Sequence, residues 1–351
     1  MARSLSSREA PDRSSRIFII AGPCAIESDE RINDIANKIG LIRDIAEPYK
    51  IDFLCRGGSW KPRTLYRNEN GEHFFDGLRE KGLKMHADAA KKHSLPVVSE
   101  LVSEKDLRYF KRYLDDKTDY LQIGARTSQS FALLHAIGAT KFSVLLKNPQ
   151  HGVDVNEAIG SLQRFENNPN RVYCIRGQKR PIDPRGHENG AYRSNTKALD
   201  ESKGQHPDSR NLNNVETITN LRKNQYFTEN NIQLCYDPSH TWGGKTELMK
   251  RRIGESAIRA ITHHRYDGII VEVDDKSAHA ICDADQAIPI SKNGVDWSQT
   301  NYGRRPEIPP ITLVDIVSST IDYQVKRLGI DSQDIKRVKK DLVGIEWDME
   351  G

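Results

Sequence analysis

The sequence predicts a (β/α)8 barrel, and three observations support this. Eight short apolar runs recur along the chain, segments with helical spacing separate them, and the series covers about 270 residues, the usual size of such a barrel. The runs are continuous rather than alternating, which is typical of parallel strands covered on both faces. An open, doubly wound sheet is the alternative architecture.

Each apolar run has the length of a buried strand. The eight predicted strands are Ile17–Ala21, Ile51–Cys55, Pro96–Ser99, Tyr120–Ile123, Phe142–Leu146, Val172–Ile175, Ile232–Tyr236 and Gly268–Val273. The segments between them place apolar residues three or four apart, which predicts amphipathic helices. Such sets are Ile32, Ile35, Ile39, Ile42 and Ile45, then Leu83, Ala87 and Ala90, then Phe131, Leu133, Leu134 and Ile137.

The chain divides into three predicted parts. Residues 1–16 are polar and basic and are expected to form a flexible tail, and residues 17–290 form the barrel. A stretch without apolar periodicity, at about 178–214, is an insertion after the sixth strand, and loops of this length are usually functional or disordered. Residues 291–351 form a C-terminal extension. It carries an amphipathic helix from about Thr312 to Leu328, expected to dock on the barrel or form an oligomer contact, and then a charged tail.

Composition limits the class of partner. The chain has 53 Lys and Arg against 49 Asp and Glu, a net charge of only +4, which argues against a general nucleic-acid binder. No apolar run approaches the roughly 20 residues that cross a bilayer, so no membrane partner is expected. The N-terminus lacks the apolar segment of a secretory signal. Five cysteines, an odd and scattered set, suit a reducing compartment, and the sequence therefore predicts a cytoplasmic protein.

A basic stretch follows the second predicted strand. It runs from Arg56 to Arg67, contains a Gly pair, and holds the cations Arg56, Lys61, Arg63 and Arg67. Glycine allows tight turns or close approach of the backbone to a ligand. Guanidinium and ammonium groups on such a loop suit phosphate and carboxylate groups. A solvated basic loop is the plain alternative.

Polar or reactive groups follow every predicted strand, and in a barrel these ends form one rim where active sites lie. Six cations belong to this set: Arg56, Lys61, Arg63, Arg126, Lys147 and Arg176. So many cations would repel one another without anions, which predicts one or two substrates carrying phosphate and carboxylate groups. Ordinary ion pairs at the barrel rim are the alternative.

A second set on the same rim could bind a metal ion. It consists of Cys24, His240, Glu272 and Asp283. One thiolate, one imidazole and two carboxylates suit a borderline divalent transition metal. Their sequence spacing alone does not identify a metal site. Taken singly, Cys24 could be a small buried residue, His240 a helix cap, and the two acids surface groups.

Several motifs resemble a known family. They are Gly-Pro-Cys at 22–24 with Glu27-Ser28, Arg-Gly-Gly-x-x-Lys-Pro-Arg-Thr at 56–64, Gln-Ile-Gly-Ala-Arg-Thr at 122–127, Asp-Pro-Ser-His at 237–240 and Glu-Val at 272–273. Over about residues 17–290 the chain resembles the class I synthases of 3-deoxy-arabino-heptulosonate 7-phosphate (DAHP), transferases that open the shikimate pathway to the aromatic amino acids. The resemblance implies a barrel that condenses phosphoenolpyruvate with erythrose 4-phosphate with the help of a divalent metal ion (Mn, Fe, Co or Zn).

The resemblance also implies roles for individual residues. Cys24, His240, Glu272 and Asp283 match the metal ligands. Arg56, Lys61, Glu100, Ala125, Arg126, Lys147 and Arg176 match the phosphoenolpyruvate site, and Lys61, Pro62, Arg63 and Thr64 match the stretch that holds the aldose phosphate. Among these, Lys61, Glu100, Lys147 and His240 are the expected catalytic residues. A homo-oligomer, either a dimer or a tetramer, is also expected.

Some features depart from the family pattern. Lys-Asn-Pro-Gln at 147–150 and the stretch around Asp283 are closer to the sister 3-deoxy-octulosonate 8-phosphate synthases, which use arabinose 5-phosphate, whereas Lys-Pro-Arg-Thr at 61–64 favours the four-carbon aldehyde. The insertion matches neither family. Three alternatives therefore stay open: a carboligase acting on another aldose phosphate, an aldolase using Lys147 as a Schiff base, and a non-catalytic barrel with a binding or regulatory role.

Overall fold

The eight predicted strands form a closed parallel barrel in which each strand pairs with the next one along the chain and β8 pairs with β1. The structure, a computed structural model, describes residues 16–62, 71, 73, 75–151, 154–178, 215–242, 246–277, 281, 284–293, 295–300, 302–331 and 333–344. The strands are β1 (Ile17–Gly22), β2 (Ile51–Arg56), β3 (Val97–Glu100), β4 (Tyr120–Ile123), β5 (Ser143–Lys147), β6 (Arg171–Arg176), β7 (Gln233–Asp237) and β8 (Gly268–Glu272). The predicted barrel is confirmed, and the open sheet is wrong.

Helices lie between the strands and after β8. The helices between β1 and β7 are α1 (Asp29–Ala46), α2 (Arg79–Lys92), α3 (Leu107–Tyr113), α4 (Phe131–Gly138), α5 (Val155–Gln163), α6 (Ile218–Lys223) and α7 (Gln225–Glu229). Helices α8 (Ser239–Trp242) and α9 (Glu247–Thr262) follow β7, and α10 (Leu313–Leu328) and α11 (Ile335–Val343) follow β8. Short 3-10 turns occur at Glu47–Tyr49, Glu104–Asp106, Val215–Thr217, Ala284–Gln286 and Trp297–Gln299.

Side chains of each strand alternate between the barrel interior and the helices, because successive residues of a strand point to opposite faces. The interior cluster is Phe18, Ile20, Leu54, Val98, Leu145, Val172, Cys174, Cys235 and Ile270. Residues of the opposite parity, such as Ile19, Phe53 and Val144, join the larger core beneath the helices. This two-sided burial explains why the strands are mostly apolar and could be predicted from the sequence.

The C-terminal extension agrees with the sequence in one helix and differs in another. The predicted helix is α10, whose Thr312 side chain accepts from the Asp315 N–H in a capping box. The stretch expected to be only a charged tail contains α11, whose Leu342 is fully buried. On α4, Phe131 was placed on the apolar face but is exposed, with the Arg164 guanidinium 4.8 Å from its ring centre.

Two predicted segments fall wholly or mainly outside the described residues. These are residues 1–15 of the predicted tail and residues 179–214 of the insertion, so the division into tail, barrel and extension stays a prediction. Within the part of the chain that the structure describes, no helix combines the length and apolar character needed to span a membrane.

A buried histidine makes the stability of the barrel depend on pH. His86 on α2 is fully buried, and its Nε2 lies 3.2 Å from the Cys55 carbonyl oxygen. Burial, assisted by the charge of Arg56, lowers the pKa of His86 from 6.5 to about 4, although the hydrogen bond to Cys55 acts in the opposite direction. Between pH 6.5 and about pH 4, His86 is therefore protonated in the unfolded chain but not in the folded chain. Stability is complete above pH 6.5 and falls as the pH drops towards 4.

We expect His86→Gln to remove this component of the acid sensitivity. The wild type should lose about 2 kcal/mol of unfolding free energy to His86 between pH 7.5 and 5, and the variant should lose that much less. Urea unfolding at the two pH values measures the difference. His135→Gln, at an exposed histidine of α4, controls for the loss of an imidazole. Equal pH dependence in wild type and His86→Gln would contradict the expectation.

Candidate active site

The inward side chains change from apolar to charged at the C-terminal end of the barrel. Seven of the eight strands, β2 to β8, place a polar residue two positions after an inward apolar or aromatic one, and the same parity turns both inward, whereas β1 ends in Gly22. In this way Leu54 is followed by Arg56, Leu145 by Lys147, and Ile270 by Glu272. The full set is Arg56, Glu100, Gln122, Lys147, Arg176, Asp237 and Glu272.

One cavity at this end collects most of the residues that the sequence singled out for substrates. Eight of them line it: Arg56, Lys61, Pro62, Glu100, Ala125, Arg126, Lys147 and Arg176, together with His240, Gln122 and Gly124. The two other predicted substrate residues, Arg63 and Thr64, lie outside the described residues. Residues from β2 through β7, far apart in the sequence, therefore meet at one mouth.

Asp237 links a lysine and a histidine beneath the cavity. Its Oδ2 lies 2.7 Å from Lys147 Nζ and 2.8 Å from His240 Nδ1, while Oδ1 accepts from the His240 backbone N–H. Burial alone would raise the pKa of Asp237, but the charges of His240 and Lys147 outweigh it and hold this pKa well below the usual range. Burial lowers the pKa of His240, and Asp237 opposes this. The carboxylate thus fixes both neighbours and stays ionised.

A second buried ion pair joins β2 and β8 across β1. Arg56 Nη1 lies 2.9 Å from Glu272 Oε1, and both side chains are almost wholly buried. Burial would lower the pKa of Arg56, but Glu272 and other nearby acids raise it. Gly22 of β1 pairs with Glu272, and a side chain there would collide with the Arg56 carbonyl oxygen, since an added Cβ would lie 2.1 Å from it. Glycine at position 22 therefore lets β1 approach β2 closely between the two partners of the Arg56–Glu272 ion pair.

Lys61 contacts the loop after β1. Its Nζ lies 3.0 Å from the Cys24 carbonyl oxygen and 3.1 Å from Cys24 Sγ. The loop is held by backbone hydrogen bonds between Cys24 and Gly58 and between Ile26 and Gly58. The ammonium therefore lies beside the thiol at the edge of the cavity.

The loop after β4 contacts Glu100. The Gln122 amide donates to Glu100 Oε2 at 3.4 Å, and Gly124 packs directly against the same carboxylate. Ala125 and Arg126 follow in a tight turn closed by the Thr127 N–H on the Gly124 carbonyl oxygen. Arg126 is thus presented to the cavity by a short turn, while Arg56 and Lys147 project from strands.

Two polar side chains hold the main chain around Arg176. Asn148 Oδ1 accepts from the Arg176 N–H at 2.7 Å, and Asn148 Nδ2 donates to its carbonyl oxygen at 3.1 Å. Thr241 Oγ1 accepts from the Gly177 N–H at 2.9 Å. These contacts continue the β5–β6 and β6–β7 pairing past the strand ends with side chains, which fixes the direction of Arg176.

The predicted metal ligands are partly assembled. His240 Nε2 lies 3.6 Å from Glu272 Oε1, and the charges of Glu272 and Cys24 both act on Arg56. Among the described residues, no group of three His, Cys, Asp or Glu side chains forms a metal cage, and the fourth predicted ligand, Asp283, lies outside them. The chemistry of thiol, imidazole and carboxylate fits a divalent transition metal.

The expectation of unneutralised cations needs correction. Two of the six cations, Arg56 and Lys147, form buried ion pairs with acids. For these two, the alternative of ordinary ion pairs at the barrel rim describes the structure. A surplus remains, because five cations and three carboxylates, Glu100, Asp237 and Glu272, stand at or below the cavity. Asp237, Gln122 and Asn148 had no predicted role in the site. Asp237 and Gln122 lie an even number of residues after interior side chains of their strands, and this spacing could have predicted that both point into the barrel.

Comparison with known proteins gives a consistent result. A profile described as the DAHP synthetase I family matches residues 9–301. A "Phospho-2-dehydro-3-deoxyheptonate aldolase" of Thermotoga maritima is 30% identical over 272 residues, covering 77% of this chain and 64% of that protein. A crystal structure of a Thermotoga maritima protein of that name, also called DAHP synthase, superposes with a TM-score of 0.58 at 27% identity, covering 78% of this chain and 65% of that one.

A second group of relatives has another name. A "2-dehydro-3-deoxyphosphooctonate aldolase" of Polaromonas sp. is 23% identical over 278 residues, covering 78% of this chain and 85% of that protein. This chain spans a little under two thirds of the Thermotoga maritima relatives, at 64% and 65% of their lengths. The family profile covers most of the chain, including all eight strands of the barrel and every residue that lines the cavity. The chain belongs to the DAHP synthetase I family.

Proposed function

We propose that this protein condenses phosphoenolpyruvate with erythrose 4-phosphate and water to give 3-deoxy-D-arabino-heptulosonate 7-phosphate and inorganic phosphate. The observation that carries the proposal is the cavity at the C-terminal end of the barrel, which is lined by five cations and Glu100. An excess of guanidinium and ammonium groups there suits two phosphorylated substrates. The reaction would be the first step of the shikimate pathway.

Phosphoenolpyruvate would be anchored by the deeper cations. Lys147 and Arg176 are nearly buried, and Arg126 faces them from the turn after β4. These three groups would bind its phosphate and carboxylate, while Arg56 adds positive charge from below. The ion pair with Asp237 fixes the Lys147 side chain before any substrate arrives, so little entropy of that side chain would be lost on binding.

The aldose phosphate would enter above Lys61 and Pro62. Holding both reactants at contact distance can supply about 7–11 kcal/mol of the barrier. The methylene carbon of phosphoenolpyruvate then forms a bond to the aldehyde carbon, and the aldehyde oxygen gains a proton. Water adds to the former enol carbon, losing a proton, and the resulting hemiketal phosphate releases inorganic phosphate to leave a ketone. Glu100, beside the cavity and hydrogen-bonded by Gln122, would orient that water.

A divalent metal ion would be held by Cys24, His240 and Glu272, with Asp283 as the fourth predicted ligand. When bound, it would supply Lewis-acid polarisation of the aldehyde carbonyl. In the structure two of these donors are contacted by cations instead, Cys24 by Lys61 and Glu272 by Arg56. Metal binding would therefore place positive charge where Lys61 and Arg56 now supply it.

We expect cobalt(II) to report this site directly. Titration of the metal-free protein should produce a thiolate-to-cobalt charge-transfer band in the near ultraviolet, because Cys24 would ligate the ion. Cys24→Ser should abolish the band, whereas Cys55→Ser, at a fully buried thiol whose pKa burial raises to about 12, should retain it. A band of equal strength in Cys24→Ser would exclude this thiol as a ligand.

Phosphate release from phosphoenolpyruvate tests the proposed reaction. Erythrose 4-phosphate, arabinose 5-phosphate and larger aldose phosphates would be compared, each with and without a chelator. The fastest release should occur with erythrose 4-phosphate and should be lost on chelation. A preference for arabinose 5-phosphate would move the assignment to the second group of relatives. No release with any of the aldehydes would favour a non-catalytic protein.

A Schiff-base aldolase is the less favoured mechanism. Lys147 would have to leave its 2.7 Å ion pair with Asp237 to attack a carbonyl carbon. Borohydride treatment in the presence of pyruvate should therefore leave Lys147 unlabelled. Covalent labelling of that lysine would replace the proposed mechanism.

A further inference from the structure

A second cavity lies at the opposite end of the barrel from the candidate active site. It is bordered by the residues just before β1 and β8 and by the C-terminal part of α10. It has a volume of about 700 Å³, within the range of small-molecule sites. Five cations line it: Arg16, Arg222, Arg265, Lys326 and Arg327.

Acids neutralise only part of this charge. Arg222 pairs with Asp267 at 3.0 Å, and Arg16 donates to Asp52 at 2.7 Å. Asp267 is occupied further, since it also accepts from the Leu234 N–H. No ion pair of Arg265, Lys326 or Arg327 occurs among the described residues. Three cations from two separate elements therefore face one cavity without a recorded counter-charge.

The backbone of Arg265 is unusual for an arginine. Its φ is 57°, in the left-handed region that residues with long side chains rarely adopt. It follows the end of α9, where the His264 and Tyr266 N–H groups bond back to Arg259 and Ala260, and glycine is the usual residue in such a turn. Arginine here costs conformational energy that glycine or asparagine would avoid. A strained backbone that presents a cation to a cavity suits a binding role.

We propose that this cavity binds a phosphate-bearing small molecule. Arginine forks contact phosphate oxygens in pairs, and Arg265 and Arg327 approach from different elements, so one phosphate group can be held between them with Lys326. Tyr323, which is half-buried, also lines the cavity and provides ring surface for the rest of such a molecule. Because the site joins α10 to the start of β8, its ligand ties α10 to the barrel.

Inorganic pyrophosphate is the probe, titrated by calorimetry into the wild type and two matched variants of the full chain. Arg265→Asn removes a cation inside the cavity, and Lys50→Asn removes one outside it at another left-handed position, with φ of 58°. Asparagine tolerates this conformation in both places. We expect one binding phase to weaken about tenfold or more in Arg265→Asn, from the lost charge-assisted contacts, and to stay unchanged in Lys50→Asn.

Thermal melting without pyrophosphate provides the second readout. Arg265→Asn should melt at or above the wild-type temperature, so weaker binding would not come from unfolding. Lys326→Gln/Arg327→Gln should weaken the same phase, and Lys336→Gln/Lys340→Gln on α11 removes equal charge outside the cavity as its control. Isotherms that are the same in the wild type and both cavity variants would overturn the proposal. Binding at the candidate active site is common to all these proteins and does not affect the comparison.

Discussion

Asp237→Asn is expected to lower the free energy of unfolding by about 3–5 kcal/mol, the cost of leaving a buried charge without its partner. The substitution keeps the shape of the side chain and removes its charge. Lys147, only 5% exposed, then loses the carboxylate 2.7 Å from its ammonium, and His240 loses the same partner. Urea unfolding at neutral pH measures the change. Because the pKa of Asp237 is held well below the usual range, the wild-type contribution is complete above the unfolded value of about 4 and is lost progressively as the pH falls below that value.

Two controls separate this effect from a general loss of ion pairs. Glu255→Gln breaks contacts to Arg251 and Arg252 on the surface of α9, where Glu255 is 30% exposed, and should cost no more than about 1 kcal/mol. Lys147→Met combined with Asp237→Asn should cost less than the sum of the two single changes, because the first removes the charge that the second would strand. Additive costs would mean that the ion pair contributes nothing specific.

The barrel was predictable because its signal is local. A strand covered on both faces is mostly apolar, so each strand appeared as a continuous run, and in six of the eight strands only the last residue at the C-terminal end was missed. Gly22, Arg56, Glu100, Lys147, Arg176 and Asp237 all extend a strand by one residue beyond its predicted end. Most of those residues line the cavity or lie directly beneath it. Each continues the alternation of side chains along its strand, and this alternation would have assigned it to the strand.

The pairing of charges was not predictable, because it depends on neighbours across the barrel. Lys147 on β5 meets Asp237 on β7, with β6 between them, and Arg56 on β2 meets Glu272 on β8, with β1 between them. No spacing in the sequence encodes these contacts. Helix α11 differs, since Ile335, Val338 and Leu342 do follow a helical spacing and were obscured by the surrounding charges.

Gly124→Ala is expected to lower kcat about 100-fold or more while the fold is kept. An added Cβ would lie 1.9 Å from Glu100 Oε1, so the carboxylate must move, and the end of this side chain can do so without displacing backbone. If Glu100 orients the water that adds to the enol carbon, its displacement removes an effect that is typically worth a factor of about 100–10,000. Steady-state phosphate release measures kcat, and thermal melting checks the fold.

The comparison with Glu100→Gln makes this expectation specific. Both single variants should lose similar activity, and the double variant should lose little more, since each change disables the same group. Gly160→Ala on α5 is the matched control: its added Cβ meets nothing within 4 Å, so stability should rise by about 0.5–1 kcal/mol with kcat unchanged. Wild-type kcat in a folded Gly124→Ala protein would mean that the position of the Glu100 carboxylate does not limit the reaction, and the water would then have to be oriented by another group at the mouth.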